Sequence, residues 1–266
     1  MEIERGLVKT SVGYIHYRSA GKGKPVFLLH PSQQSSALFL ELMEVLGKRL
    51  RAVAVDYPSF GMSDHVEGQP TISDYAGWVT EVMDGLAIPK ASFLGEAVGA
   101  TVSMEMGIAY PEKVEKIILV NCPFYPDKES KKKSHTPLKS GLRPEDATGF
   151  PVTRTLEFVL ENDPEHIPLH PDQSWMDRIN VAQIEAGRER WQALNALDAY
   201  DIASSLERLK SPVLLIWGDH FRYARFREEF TRRIADSRVV IVKDGRFCLP
   251  WERPEEVSAA VLDFLK

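Results

Sequence analysis

Long apolar runs are missing from this sequence: none approaches the roughly 20 residues that a membrane-spanning helix needs. The first ten residues, MEIERGLVKT, lack the apolar core of a secretory leader, so a cytoplasmic protein is the expectation. Cysteine is scarce as well. Cys122 and Cys248 are the only two in 266 residues, too few for a disulfide framework. An excess of positive charge is also absent. Thirty-eight acidic against 33 basic residues give a net charge of −5 and a pI near 5.9. That balance removes any general attraction to nucleic acid or to an anionic membrane. No H-E-x-x-H, C-x-x-C or phosphate-binding glycine loop occurs, so neither a metal nor a cofactor is implied. There is no internal repeat and no low-complexity tract. Finally, none of the seven histidines lies beyond His220.

What remains is an ordinary globular composition, 44% hydrophobic and 27% charged, long enough for one large α/β domain with a sizeable core. Short apolar runs at 25–30, 51–56, 92–95, 114–120, 213–218 and 238–242 predict strands buried on both faces. Two more strands are expected at 5–10 and 13–19. Helical spacing separates many of these runs, at 36–50, 72–86, 98–110, 223–235 and 254–265, with Thr71 placed to cap the second. Alternating β and α elements predict a mostly parallel twisted sheet with helices on both faces. Between Cys122 and about Tyr200 the strand signal lapses. The segment begins basic (Lys128, Lys131, Lys132, Lys133, Lys139, Arg143), a run that reads as a solvated loop. Weak helical stretches follow at 153–161 and 181–197. The simplest organisation is a core of 1–121 and 201–266 with 122–200 inserted as a helical cap.

The run Leu94-Gly95-Glu96-Ala97-Val98-Gly99-Ala100 lies between a predicted strand and a predicted helix. Its pattern is that of the G-x-S-x-G turn, with alanine where the serine would stand. Four further landmarks accompany it in order: His30 at the end of a strand, Asp56-Tyr57-Pro58-Ser59-Phe60-Gly61-Met62-Ser63-Asp64, Leu214-Leu215-Ile216-Trp217-Gly218-Asp219, and Gly245 followed by Arg253-Pro254-Glu255-Glu256. With these five the chain resembles the α/β-hydrolase superfamily over nearly its whole length, in its capped, esterase or C–C hydrolase-like form. The resemblance implies an α/β-hydrolase fold and a site at the elbow.

In that family the nucleophile, acid and histidine follow one another along the chain. Matched to this sequence, the three positions hold Ala97, Phe221 and Arg246. A single Ser→Ala exchange would leave the other two in place. His220 lies in the acid's loop and reads as a surface residue. The amides of Ser32 and Val98 match the oxyanion hole, with Pro31 replacing the family's glycine.

The resemblance thus implies a hydrolase-fold protein without the Ser-His-Asp triad, holding a small molecule in the former active site. Arg246 and the N-terminus of the helix beginning at Val98 make an anion one candidate; solvent, Glu252 or Asp244 are the alternative partners for Arg246. Lyase, isomerase or cyclase chemistry in the same cavity is a second reading, because a shaped, dry pocket needs no nucleophile. An ester or C–C bond hydrolase with displaced or engineered-out residues is a third. Glu96 and Cys122 are the candidates for other chemistry; a buried hydrogen-bond brace and an inert buried thiol are their plainer readings. Asn121 is a candidate pocket contact, and His30 is expected to brace its loop. Trp175 and Trp191 are candidates to face the pocket from the cap. His166 and His170 are four apart, but Pro168 and Pro171 argue against a shared helix face. A small molecule is the implied partner; nucleic acid and membrane are not, and a protein partner is allowed but not indicated.

Overall fold

A computed structural model describes residues 2–127, 129–131 and 146–266. The basic residues Lys128, Lys132, Lys133, Lys139 and Arg143 singled out above lie outside the described residues. Eight strands form one sheet: β1 (Glu4–Thr10), β2 (Gly13–Ala20), β3 (Pro25–Leu29), β4 (Arg51–Val55), β5 (Ala91–Glu96), β6 (Val114–Val120), β7 (Val213–Gly218) and β8 (Ser237–Val242). Their order across the sheet is β1-β2-β4-β3-β5-β6-β7-β8. β1 and β2 pair antiparallel, β2 joins β4 antiparallel, and every pair from β4 to β8 is parallel.

The strands are apolar throughout because both faces are covered, and their side chains alternate between two cores. Phe27, Val53, Phe93, Ile117 and Leu215 face one cluster. Helices α2 (Ile72–Gly85) and α3 (Val98–Ala109) lie on that side. The neighbours Leu28, Ala54, Leu94, Ile118 and Leu214 face the other cluster, shared with α1 (Leu40–Leu46) and the terminal helix Pro254–Phe264. α2 begins as Thr71 predicts. The Thr71 hydroxyl accepts from the Asp74 N–H at 3.2 Å and the Asp74 carboxylate accepts from the Thr71 N–H at 2.8 Å, a reciprocal cap.

Between β6 and β7 the described residues form α4 (Leu156–Asn162), α5 (Gln173–Ala186) and α6 (Gln192–Ala199), followed by α7 (Ile202–Arg208) on the way back to the sheet. α5 starts well before the helical spacing suggests: Asp172 accepts from the Trp175 N–H at 2.9 Å, so the prolines at 168 and 171 precede a helix rather than interrupt one. The expected helices at 36–50 and 223–235 each open with a 3₁₀ turn, Ser36–Phe39 and Arg222–Phe226, before α1 and before α8 (Arg227–Arg233). No helix among the described residues is long and apolar enough to cross a membrane.

The chain order reverses direction at β3 and β5. In open α/β sheets ligands bind outside the carboxyl ends of the strands at such a point. The loops after β3, β5, β7 and β8, together with α4, α5 and α6, meet there.

Candidate active site

The elbow follows from sterics. Gly95, the penultimate residue of β5, lies beside the first turn of α3, where a Cβ would sit 1.9 Å from the Gly99 carbonyl oxygen. A Cβ on Gly99 would sit 1.9 Å from the Leu29 carbonyl oxygen of β3. Only glycines allow strand, turn and helix to approach this closely. Ala97, between them, has φ +51° and ψ −108°, a conformation that costs an L-residue about 1–3 kcal/mol. The geometry of a nucleophile turn is kept although the side chain is a methyl group. Ala97→Gly is therefore expected to stabilise the fold by about 1 kcal/mol, read as a rise in the urea midpoint at unchanged slope; an unchanged or lower midpoint would show that the turn is unstrained.

Ala97 and Val98 line a cavity whose atom-free space, open mouth included, is about 820 Å³. One wall is aromatic. Phe221, 5% exposed, stacks on Phe247 with centroids 6.2 Å apart and meets Tyr223 edge-on at 5.4 Å. Trp175 of α5 also lines the cavity. Polar residues line it as well: Ser32, Gln33 and Gln34 after β3, and Gln183 of α5. The Ser32 Oγ, both amide atoms of Gln33, the Gln34 Oε1 and the Gln183 Nε2 are buried without a hydrogen-bond partner. Buried polar atoms normally find partners, so these atoms set this part of the lining apart from the core. The insertion adds Arg154, Asp163 and His166. Asp163 attracts the Arg154 guanidinium electrostatically and accepts from His166 Nδ1 at 2.7 Å.

Of the residues expected at the site, Ser32, Ala97, Val98 and Phe221 meet on this cavity. Arg246 does not. Its Nε donates to the Ile167 carbonyl at 3.0 Å and its Nη2 to the Pro168 carbonyl at 2.7 Å. The expectation that it faces an anion is corrected by this geometry: its donors are turned to the backbone of the insertion. Glu252 acts in the same place, accepting from the N–H groups of Leu169 at 3.1 Å and His170 at 2.6 Å.

Asn121, φ +45°, is likewise off the cavity. Its amide donates to Glu96 Oε1 at 2.7 Å and to the Arg246 carbonyl at 2.8 Å, and it accepts from the Gly218 N–H at 3.2 Å. It ties β5, β6, β7 and the terminal loop together rather than touching a pocket. Glu96 also accepts from the Leu249 N–H at 3.3 Å. Burial pushes its carboxyl up to about 8, against the lowering effect of these hydrogen bonds. It braces the loops as a neutral acid near pH 7 and does not line the cavity.

Cys122 is fully buried in the apolar core and burial drives its thiol far above the usual range, which removes the thiolate a nucleophile needs. Cys248 is buried and raised in the same way. His30 braces its loop: Nδ1–H donates to the Pro31 carbonyl at 2.8 Å and Nε2 accepts from the Tyr57 N–H at 3.2 Å. Burial lowers its pKa, consistent with the neutral ring that this pattern requires. Asp56, in the landmark loop, accepts from His16 Nδ1 at 2.8 Å and from the N–H groups of Ser36 and Met62. Ser59 of the same loop has φ +70°, where the family pattern has glycine, and its hydroxyl accepts from the Val66 N–H at 3.0 Å. Trp191 packs at the edge of the core and is not part of the lining. Asp219, His220 and Asp244 form an exposed cluster of possible metal ligands outside the cavity.

The residues that sequence reasoning missed are Arg154, Asp163, His166, Gln33, Gln34 and Gln183. Gln33-Gln34 carried a signal, two adjacent amides in the loop that follows a buried strand. The other four lie between β6 and β7, where the packing that brings them to the cavity leaves no periodic trace in sequence.

Comparison with known proteins agrees with this architecture. A family model described as "Alpha/beta hydrolase family" matches residues 26–260. The chain is 24% identical over 267 residues to haloalkane dehalogenase 2 of Mycobacterium tuberculosis, covering 96% of this chain and 92% of that one. It is 23% identical over 280 residues to 2-hydroxy-6-oxo-6-phenylhexa-2,4-dienoate hydrolase of Comamonas testosteroni, covering 95% and 91%. Among solved structures, a carboxylesterase of Bacillus subtilis superposes with a TM-score of 0.77 at 22% identity, covering 100% of this chain and 92% of that one, a likeness of fold.

Proposed function

The chain belongs to the alpha/beta hydrolase family, and from that premise we propose that it is a non-hydrolytic member: it holds a small molecule in the cavity at the elbow and does not use a serine nucleophile. One observation carries this reading. The strained turn that would present a nucleophile presents Ala97 to the cavity, while the acid position, Phe221, belongs to an aromatic wall. Without nucleophile and base the acyl-enzyme route is closed. The insertion of 122–200 acts as a cap in this reading, closing the cavity with α5 and the turn at Pro164–His166.

The lining suggests the ligand's character. With Arg246 turned to the insertion, the anion reading loses its main support. Arg154 and Asp163 offset one another, and the remaining polar groups are amides, hydroxyls and the His166 imidazole. A flat, largely apolar molecule with hydrogen-bonding groups at one end fits best. Such a cavity serves a binding protein or an enzyme of the lyase, isomerase or cyclase type.

The relatives named as hydrolases keep the hydrolase reading in view, and one experiment separates the two. Purified protein is treated with a fluorophosphonate and weighed intact, and p-nitrophenyl acetate is followed in a stopped-flow instrument. The expected result is unmodified mass and no burst of p-nitrophenolate. A single phosphonyl adduct, or a burst equal to the enzyme concentration, would return the chain to the serine hydrolases.

A further inference from the structure

The geometry points to a general base in the cavity that comes from the insertion instead of the terminal loop. That base is His166, with Asp163 as its positioning partner. The inference rests on the reading of the cavity as a small-molecule site.

Both residues line the cavity. They bracket the turn Pro164–His166 that follows α4. The turn is fixed at its start, where the Asp163 N–H donates to the Val159 carbonyl at 2.9 Å. The Asp163 side chain is 5% exposed and holds His166 Nδ1 at 2.7 Å. A carboxylate on Nδ1 selects the tautomer that carries its proton there and leaves Nε2 as the basic nitrogen. Nε2 makes no hydrogen bond among the described residues. The His166 side chain is 20% exposed, so a solute can reach it. This is the arrangement of a base oriented by an acid, met three residues apart in one turn.

The terminal loop holds the segment in place. Arg246, standing where the family's histidine would be, binds the carbonyls of Ile167 and Pro168, and Glu252 binds the next two N–H groups. Four consecutive residues directly after His166 are thereby fixed to the core. The position that lost its base now anchors the segment that supplies one.

In the proposed step Nε2 takes a proton from a C–H or O–H acid of the bound molecule. The electron pair of that bond forms a new π bond to the neighbouring atom, while that atom's bond to a leaving group breaks or its existing π pair shifts onto an adjoining oxygen. The imidazolium that results is stabilised by Asp163 and returns its proton to another atom of the product, to the leaving group or to water. No oxidant, reductant or metal is needed for the balance.

The probe for the test is 5-nitrobenzisoxazole, a flat aromatic molecule. A base removes its C3 proton, the C–H pair forms the nitrile, the N–O bond breaks, and 2-cyano-4-nitrophenolate is read by absorbance. The wild type is expected to show saturable turnover, with kcat about 10²-fold or more above His166→Gln at similar KM. Asp163→Asn should lower kcat and leave KM near its wild-type value. Added imidazole should restore part of the rate of His166→Ala, a rescue that a merely structural role would not give. Unchanged thermal midpoints check that the variants fold. A wild-type rate equal to that of His166→Gln overturns the proposal. Tryptophan quenching in the same titrations reports binding independently. Saturable quenching with no rate difference removes the base and leaves the cavity reading standing, whereas no quenching and no rate removes both.

Discussion

Replacing Glu96 with glutamine is expected to make the protein markedly more stable above pH 8 and slightly less stable near pH 5. The folded carboxyl titrates near 8, against an ordinary value of 4.5, because it is fully buried. Between those values the folded protein keeps a proton that the unfolded chain releases. Stability therefore falls as pH rises through this window and levels off above about 8. Integrated over the window, the loss is on the order of 3–5 kcal/mol. Glutamine does not titrate. Its carbonyl can still accept from Asn121 and Leu249, but its second N–H enters a buried position, at a cost of about 1 kcal/mol. Urea unfolding of both proteins from pH 5 to pH 9 decides the matter. The two stability curves should cross; parallel curves would mean that Glu96 is ionised in the folded protein.

Gly99→Ala is expected to cost more than about 3 kcal/mol, beyond the usual range for an added methyl group. At this chain length that corresponds to a fall in Tm of at least roughly 6–12 °C. The new Cβ would lie 1.9 Å from the Leu29 carbonyl oxygen and 2.5 Å from its carbon. Both are backbone atoms in the middle of the sheet, so no side chain can turn aside to make room. Relief requires α3 to move off β3, which would carry Ala97 and Val98 away from Ser32 and open the cavity floor. A Tm within about 2 °C of the wild type would show that the helix can shift without penalty and that the close approach is not what holds the turn.

The parts of the molecule that could be read from its residues are those with local causes. Continuous apolar runs gave strands with ends within a residue or two, because burial on both faces leaves no polar alternation to confuse them. Thr71 and Asp74 marked a helix start by their own chemistry. The glycines flanking Ala97 marked the elbow because close backbone approach excludes every other residue. Arg246 was assigned its place in the chain but not its partners. Which carbonyl an arginine finds depends on an insertion folding back over the sheet, a contact between residues about 80 apart. His166 was passed over for the same reason. Pro168 and Pro171 argue against a helix there, and the described residues agree: His166 ends the turn Pro164–His166, and α5 begins only after Asp172.

The docking of the insertion has a consequence for how this protein can change. Arg246 and Glu252 grip carbonyls and N–H groups, features that every residue but proline offers in full. The hold on 167–170 thus ignores what side chains stand there. Ile167 is packed in the core, so the freedom to change falls to the half-buried Leu169 and the exposed His170. Exchange at Leu169 and His170 can therefore recast the surface beside the turn Pro164–His166 while Arg246 and Glu252 keep the backbone in its seat.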